Sequence, residues 1–95
     1  MFDIKKGNNQ EVRLIGRFDA AQTDKAREFL LQINETVTIN LENLDYISSA
    51  GLGVLVMVQK LLKEKGEQII LKGMNKNVKD ILMIARFDLI FEIED

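Results

Sequence analysis

The sequence predicts a single α/β domain over residues 1–95, in which a mixed β-sheet carries helices packed on its faces. Short stretches that alternate apolar and polar residues, as strands do, are interspersed with longer stretches of helical spacing. The length suffices for one hydrophobic core and leaves no room for a second domain. The absence of proline fits a compact domain with regular connections. We therefore predict the element order β-β-α-β-α-β-α-β, with right-handed crossovers.

The first two strands are predicted to form an antiparallel hairpin. Residues 2–4 and residues 12–14 each alternate apolar and polar side chains. Between them, residues 6–9 read Lys-Gly-Asn-Asn, which is the composition of a tight turn. The hairpin is expected to end at Gly16.

The first helix is predicted from about Thr23 to Ile33, because apolar residues there follow the spacing i, i+3, i+4, i+7. These apolar residues are Ala26, Phe29, Leu30 and Ile33. A β-branched strand is predicted next, since apolar and polar residues then alternate. Its apolar residues are Val37, Ile39 and Leu41, and its polar residues are Thr36, Thr38 and Asn40.

The second helix is expected to run from about Ala50 to Lys65. Its first half is apolar on nearly every side, whereas its second half carries Lys60, Lys63 and Glu64. We therefore expect the start of this helix to be buried against the sheet and its end to lie in solvent. Gly66 follows at the position where glycine commonly ends a helix.

The remainder of the chain is predicted to contain a strand over residues 69–71, a third helix, and a final strand or extended tail over residues 90–93. The third helix can be capped by Asn75 or Asn77 and extends to about Ala85. The residues expected to point inward from it are Val78, Ile81, Leu82 and Ala85.

Met83 stands apart from this inward stripe, because five residues along an α-helix place it about 140° from Val78. A methionine in that position is most often an isolated surface residue. The alternative is an adaptable contact with a partner protein. We include Met83 among the candidate partner contacts.

The composition removes the usual tools of most enzyme classes. The chain has no cysteine and no histidine, so it lacks a thiol nucleophile, the commonest general base and the commonest transition-metal ligands. Asp19, Glu42 and Asp45 supply carboxylates, but the sequence shows no convergent pair at catalytic spacing. We expect a protein that is not an enzyme and has no metal or cofactor of its own.

Charge and hydropathy restrict the partners. The net charge of -2 provides no basic field for nucleic acid or for an acidic membrane surface. The longest apolar runs, such as residues 54–58, are far shorter than the ~20 residues that a membrane span needs. Residues 1–4 lack the charged-then-apolar order of a signal peptide. We therefore expect a cytoplasmic protein, monomeric or weakly dimeric, without nucleic-acid or membrane partners.

The candidate functional site is the segment of residues 45–53, which reads Asp-Tyr-Ile-Ser-Ser-Ala-Gly-Leu-Gly. Ser48 and Ser49 lie where a loop after a strand becomes a helix, and the free N–H groups of a helix start suit an anion or a phosphate. Gly51 and Gly53 allow another molecule to come close. One serine suffices as an N-cap, so the second hydroxyl needs another explanation.

The stretch from Leu44 to Leu55 resembles the central motif of STAS domains, the fold shared by sulfate-transporter tails and bacterial anti-sigma factor antagonists. The residues that match in order are Ile47, Ser48, Ser49, Gly51 and Leu52. Residues 16–19, Gly-Arg-Phe-Asp, also resemble the turn that precedes the first helix in this family. The resemblance covers the whole chain and implies a single STAS-like domain, with Asp19 in a loop near the serines.

The resemblance implies that Ser49 is a phosphorylated serine, with Ser48 as the alternate acceptor. The best-known antagonists carry aspartate immediately before the phosphoserine, and Ser48 stands at that position here. The residues that the resemblance implies for partner binding are Asp19, Ser48, Ser49, Gly51, Leu52 and Gly53.

The implied partner is an anti-sigma factor that is also a serine kinase of the GHKL ATPase type, so that ATP and Mg²⁺ belong to the partner. Unphosphorylated antagonist would bind this kinase and release the sigma factor, and a phosphatase would reset the phosphorylated form. Two other functions stay open from the sequence. One is a module that holds a nucleotide or another anion at Ser48 and Ser49 without modification; the other is a scaffold or transport-accessory STAS protein.

Overall fold

The computed structural model describes residues 1–94 as a six-stranded mixed β-sheet with three α-helices. Asp95, the last residue of the predicted domain, lies outside the described residues. The strands are β1 (Phe2–Lys6), β2 (Glu11–Phe18), β3 (Val37–Asn40), β4 (Leu44–Ile47), β5 (Ile69–Lys72) and β6 (Glu92–Glu94). The helices are α1 (Thr23–Leu30), α2 (Ser49–Glu64) and α3 (Lys76–Ile84), with 3-10 turns at Ala20–Gln22 and Phe87–Leu89.

The strands are arranged in the order β1-β2-β3-β5-β6, and β4 pairs with β2 outside this path. Only β1 is antiparallel to its neighbour; β2, β3, β5 and β6 run parallel, as strands joined through helices do. Strand β3 pairs with the first part of β2 and β4 with its last part, so β3 and β4 share one side of β2. The predicted mixed α/β fold is confirmed.

Strand β4 is the one element that the predicted order lacks. It has only four residues, and its buried ones are Leu44 and Ile47, three apart rather than two apart. Its pairing with β2 also shifts register between Gly16 and Arg17. A strand this short, with no period of two, leaves no alternation for a sequence to display.

The pairing of β1 with β2 ends at Gly16, as predicted, and strand β2 then continues without β1. Strand β2 extends to Phe18, two residues beyond Gly16. At Gly16 the backbone has φ +92°, and a Cβ atom there would lie 2.0 Å from the carbonyl oxygen of Met1. Only glycine fits where β2 passes so close to the start of the chain, so Gly16 is the last residue of β2 that pairs with β1, and Arg17 and Phe18 pair with β4.

The helix boundaries differ from the predictions by one to three residues. Helix α1 stops at Leu30 rather than Ile33, and α2 starts at Ser49, one residue before the predicted Ala50. Asn75 caps α3, where its side chain accepts a hydrogen bond from the N–H of Val78 at 2.9 Å. Ala85 lies just past the end of α3 and is exposed, so the prediction that it points inward is wrong.

The core lies between the helices and one side of the sheet. Alternate residues of the strands are buried there, together with one face of α2. The largest fully buried side chains include Leu14, Phe18, Ile39, Leu44, Ile47, Leu55, Leu62 and Leu71. This core fixes the register of β2, because a slip of one residue would turn its apolar set towards solvent.

The other set of alternate residues on β2 is charged except for Ile15. The Glu11 carboxylate lies 3.1 Å from Lys72 Nζ on β5 and 3.3 Å from Arg13 Nε on its own strand. The hydrogen bond from Lys72, together with the nearby positive charges, lowers the pKa of Glu11 below its ordinary value. The carboxylate therefore stays ionised at neutral pH and links β2 to β5 across β3.

Candidate functional site

Ser48 joins the end of β4 to the start of α2, and its polar groups are used within the domain. Its N–H donates to the carbonyl oxygen of Phe18 at 2.8 Å, which ties the junction to the end of β2. Its Oγ accepts from the N–H of Gly51 at 3.1 Å, as an N-cap does, and its carbonyl oxygen accepts from the N–H of Leu52 at 2.9 Å. Ser48 is therefore occupied as a structural residue.

Ser49 is the first residue of α2, and its side chain is exposed. Its hydroxyl makes no hydrogen bond within residues 1–94. Ala50 beside it is also exposed, and the N–H groups of a first helical turn have no acceptor inside the helix. The site thus presents a free hydroxyl next to free backbone donors and the positive end of a helix dipole.

Asp19 lies at the same end of the sheet. Phe18 and Ile47 are paired residues of β2 and β4, and Asp19 and Ser48 follow them directly. Asp19 caps the first 3-10 turn: its Oδ1 accepts from the N–H of Ala21 at 3.1 Å, and its own N–H donates to Gln22 Oε1 at 3.0 Å. Asp19 was predicted to lie near Ser48 and Ser49, which we call the serine loop. The pairing of β2 with β4 brings Asp19 to the same end of the sheet as this loop.

The two glycines of the segment have different surroundings. A Cβ atom on Gly51 would lie 3.0 Å from Ile47 Cγ1 and 3.1 Å from both the Cγ and the carbonyl oxygen of Phe18. A Cβ atom on Gly53 would meet nothing within 4 Å, and Gly53 is exposed. Gly51 is therefore required by packing inside the domain, whereas Gly53 is free of any such requirement.

Two other predicted contact residues do not belong to the exposed surface around Ser49: Leu52 is buried, and Met83 lies on another helix. Leu52 is 8% exposed and belongs to the core, so its influence on a partner would pass through the packing of the loop. Met83 is half-buried on the C-terminal half of α3, about 10 Å along the helix from its first residue. A role of Met83 in partner binding stays a prediction.

Arg17 and Tyr46 form a contact that the sequence did not disclose. The guanidinium of Arg17 lies 4.5 Å from the centre of the Tyr46 ring, an arrangement that favours a cation–π interaction. The two residues are paired on β2 and β4, one position before Phe18 and Ile47. Since β4 was not predicted, nothing in the sequence placed this cation beside the loop.

The surface cavities described for residues 1–94 lie away from the serines. The larger, about 460 Å³, lies between the β1–β2 turn and the segment joining α1 to β3, at the other end of β2. A second, about 300 Å³, is lined by residues of β1, of α1 and of the segment that follows α1. Neither is lined by Ser48 or Ser49. Within the same residues, no helix is both long and apolar enough to cross a membrane.

Comparison with known proteins gives one family. The family model of the STAS domain matches residues 4–95. BtrV of Bordetella bronchiseptica, named as an anti-sigma factor antagonist, is 35% identical over 74 residues, which cover 78% of this chain and 58% of BtrV. The anti-sigma-B factor antagonist of Bacillus subtilis is 29% identical over 91 residues, covering 92% of this chain and 79% of that protein.

A solved structure has the same fold. The anti-sigma factor antagonist SpoIIAA in its unphosphorylated form superposes with a TM-score of 0.73, covering all of this chain and 88% of SpoIIAA. The two sequences are 16% identical, so this likeness concerns the fold. It agrees with the STAS match over nearly the whole chain.

The two glycines provide a matched pair of variants for stability. We expect Gly51→Ala to lower the free energy of unfolding by about 1–3 kcal/mol, because its methyl group would press on Ile47 and on the Phe18 backbone. Gly53→Ala should raise it by roughly 0.5–1 kcal/mol, because alanine favours an exposed helix and meets no obstacle. Urea denaturation measures both. Equal effects of the two substitutions would contradict the packing role of Gly51.

The contributions of the two serines to stability can be distinguished by a second matched pair of variants. Ser48→Ala removes the N-cap and should lower the free energy of unfolding by about 1 kcal/mol. Ser49→Ala removes an exposed hydroxyl without an intramolecular partner and should change it by less than about 0.5 kcal/mol. A larger loss for Ser49→Ala than for Ser48→Ala in urea denaturation would reverse the structural roles assigned to them.

Proposed function

This chain belongs to the STAS domain family, and we propose that it is an anti-sigma factor antagonist that phosphorylation of Ser49 switches off. The names of its relatives support the first part of this proposal. The observation that carries the second part is the contrast between the two serines. Ser48 is engaged by Phe18 and Gly51, whereas the Ser49 hydroxyl is exposed and has no partner within residues 1–94.

The unphosphorylated form binds an anti-sigma factor over the start of α2. Ser49 and Gly53 are four residues apart and therefore lie on one face of the helix. Both are exposed, and the missing side chain of Gly53 lets a partner's backbone approach the helix closely. Asp19 borders the same end of the sheet and adds a carboxylate to the docking surface. Binding occupies the anti-sigma factor and frees the sigma factor.

Phosphorylation reverses this binding. The partner, acting as a serine kinase, transfers the γ-phosphoryl group of ATP to Ser49 Oγ; the hydroxyl loses its proton, and ADP leaves. ATP and Mg²⁺ are held by the kinase, so this chain supplies only the acceptor. The phosphate adds about -1.5 to -2 charge and considerable bulk at the centre of the docking surface. Repulsion and lost contact then release the partner, and a phosphatase restores the hydroxyl by hydrolysis.

The domain itself is expected to keep its fold through this cycle. Ser49 lies at the N-terminus of a sixteen-residue helix, where the dipole favours negative charge. Its side chain points away from the core and has no internal contact to lose. A phosphate on Ser48 would instead disturb the hydroxyl that caps the helix. The switch therefore acts on the partner in the cytoplasm rather than by refolding this protein.

Substitution of Ser49 tests the switch. Ser49→Asp should weaken binding to the cognate anti-sigma factor kinase at least tenfold, since it places a charge where the partner docks. Ser49→Ala should bind as the wild type does and stay bound in the presence of ATP. Isothermal titration calorimetry measures both affinities, with circular dichroism as the check that the fold is retained. Ser48→Ala is the matched control and should still be released by ATP.

Mass spectrometry identifies the acceptor directly. After incubation with the kinase and ATP, the phosphate is expected on Ser49 of the wild type and of Ser48→Ala. Phosphate found on Ser48 alone would falsify the assignment of Ser49. Absence of any phosphate, together with tight binding, would leave the antagonist role and remove the switch.

Nucleotide binding by this chain is the competing function that is simplest to test. Neither described cavity includes Ser48 or Ser49, so we expect the melting temperature to be unchanged by millimolar ATP or GTP. A nucleotide that binds only the folded state would raise the free energy of unfolding in proportion to ln(1 + [L]/Kd), and the melting temperature would rise with it. A rise that grows with nucleotide concentration and disappears in Ser49→Asp would favour a ligand-binding module.

A further inference from the structure

An apolar surface follows α3 and is unrelated to the serine loop. The 84–90 turn, defined as residues Ile84 to Ile90, contains the C-terminus of α3 and the second 3-10 turn. Ile84 is 83% exposed, Leu89 72% and Ile90 40%. Single exposed apolar residues are ordinary on protein surfaces, but three within seven residues are a concentration of the kind found at contact sites, and we call the exposed residues of this turn the patch.

The patch carries two charges that the domain does not use. Arg86 and Asp88 are both exposed, and neither makes an ion pair or a side-chain hydrogen bond within residues 1–94. Arg86 has φ +61° and ψ +34°, in the left-handed region that follows a helix end. Glycine is the residue usually found there, because a side chain strains that conformation. An arginine at this position with no internal partner indicates a use outside the chain.

The turn is held rigidly from beneath. The buried Gln59 of α2 donates from Nε2 to the carbonyl oxygen of Ile90 at 2.8 Å, and its Oε1 accepts from the N–H of Ile69 at 2.7 Å. Phe87 is buried and packs on Phe91, with ring centres 5.4 Å apart. The exposed side chains are therefore presented on a fixed backbone, and little ordering is needed before contact.

We propose that the 84–90 turn binds a second copy of this chain through a two-fold symmetric contact. The patch has one positive and one negative charge among apolar residues, so it is complementary to itself. In a two-fold contact, Arg86 of each protomer faces Asp88 of the other, and Ile84 and Leu89 cover each other.

The dimer is expected to be weak. Three partly exposed apolar side chains supply much less than the ~800 Å² per partner of a standard interface. It also leaves the phosphorylation site free, because Gln59, which contacts Ile90, lies ten residues or about 15 Å along α2 from Ser49. The dimer would thus present two serine loops at once. This inference does not depend on the proposed switch.

Complementary charge reversals test the proposal. Sedimentation equilibrium from about 10 μM to about 1 mM should show that the wild type associates reversibly. Arg86→Asp gives a patch with two negative charges, and Asp88→Arg gives one with two positive charges. Each variant alone should associate at least tenfold more weakly than the wild type. An equimolar mixture should regain association within about threefold of the wild type, because both cross-pairs are restored.

The controls separate self-association from other effects. Lys60→Asp and Glu64→Arg make the same reversals on the exposed face of α2, and their association should match the wild type. Circular dichroism and the melting temperature show whether each variant folds. If a charge variant does not fold, Ile84→Ser, at an exposed position, replaces it and should weaken the dimer severalfold. The proposal fails if the wild type stays monomeric at 1 mM or if the mixed variants do not associate. If the wild type stays monomeric and Arg86→Asp weakens binding to the kinase, the patch is a contact site for that kinase instead.

Discussion

The contact between the start of α2 and the end of β2 determines how the rest of the domain is arranged. Gly51 lies against Phe18 so closely that a methyl group would be 3.1 Å from the Phe18 carbonyl oxygen. That same oxygen accepts the N–H of Ser48 at 2.8 Å. The position of β2, the end of β4 and the first turn of α2 are thereby fixed together. With that turn in place, the apolar face of α2 covers the sheet over its whole length.

This contact also distinguishes the two adjacent serines. The hydrogen bond that Ser48 accepts from Gly51 satisfies a backbone donor at the helix start, and its own N–H is committed to β2. A phosphate on Ser48 would disturb this N-cap, which is why we place the proposed modification on Ser49. Ser49 lies beyond the junction, on the exposed side of the first turn. Its hydroxyl takes no part in the packing that holds the site, so the phosphorylation proposed for it would leave that packing in place.

Much of this could be predicted from the sequence, and the remainder depended on contacts distant along the chain. The long helices and the hairpin follow from local spacing, which is why their limits were wrong by only one to three residues. Strand β4 has no local signal, because it is stabilised by pairing with β2 some thirty residues earlier. The contact of Arg17 with Tyr46 depends on that pairing and was missed with it. The difference between Gly51 and Gly53 was also not predictable, because Gly51 packs against Phe18, which lies on β2, far away along the chain.

Helix α2 connects the exposed surface at Ser49 with the 84–90 turn. This connection does not imply that one surface affects the other. Its first turn presents Ser49, and its buried Gln59 fixes the 84–90 turn through Ile90. Between them the helix is continuous and its inner face lies in a close-packed core. Coupling between two sites requires an element with two states. The fold shows a continuous helix between the two surfaces, so the charge proposed at Ser49 is expected to change what binds there while the 84–90 turn keeps its shape.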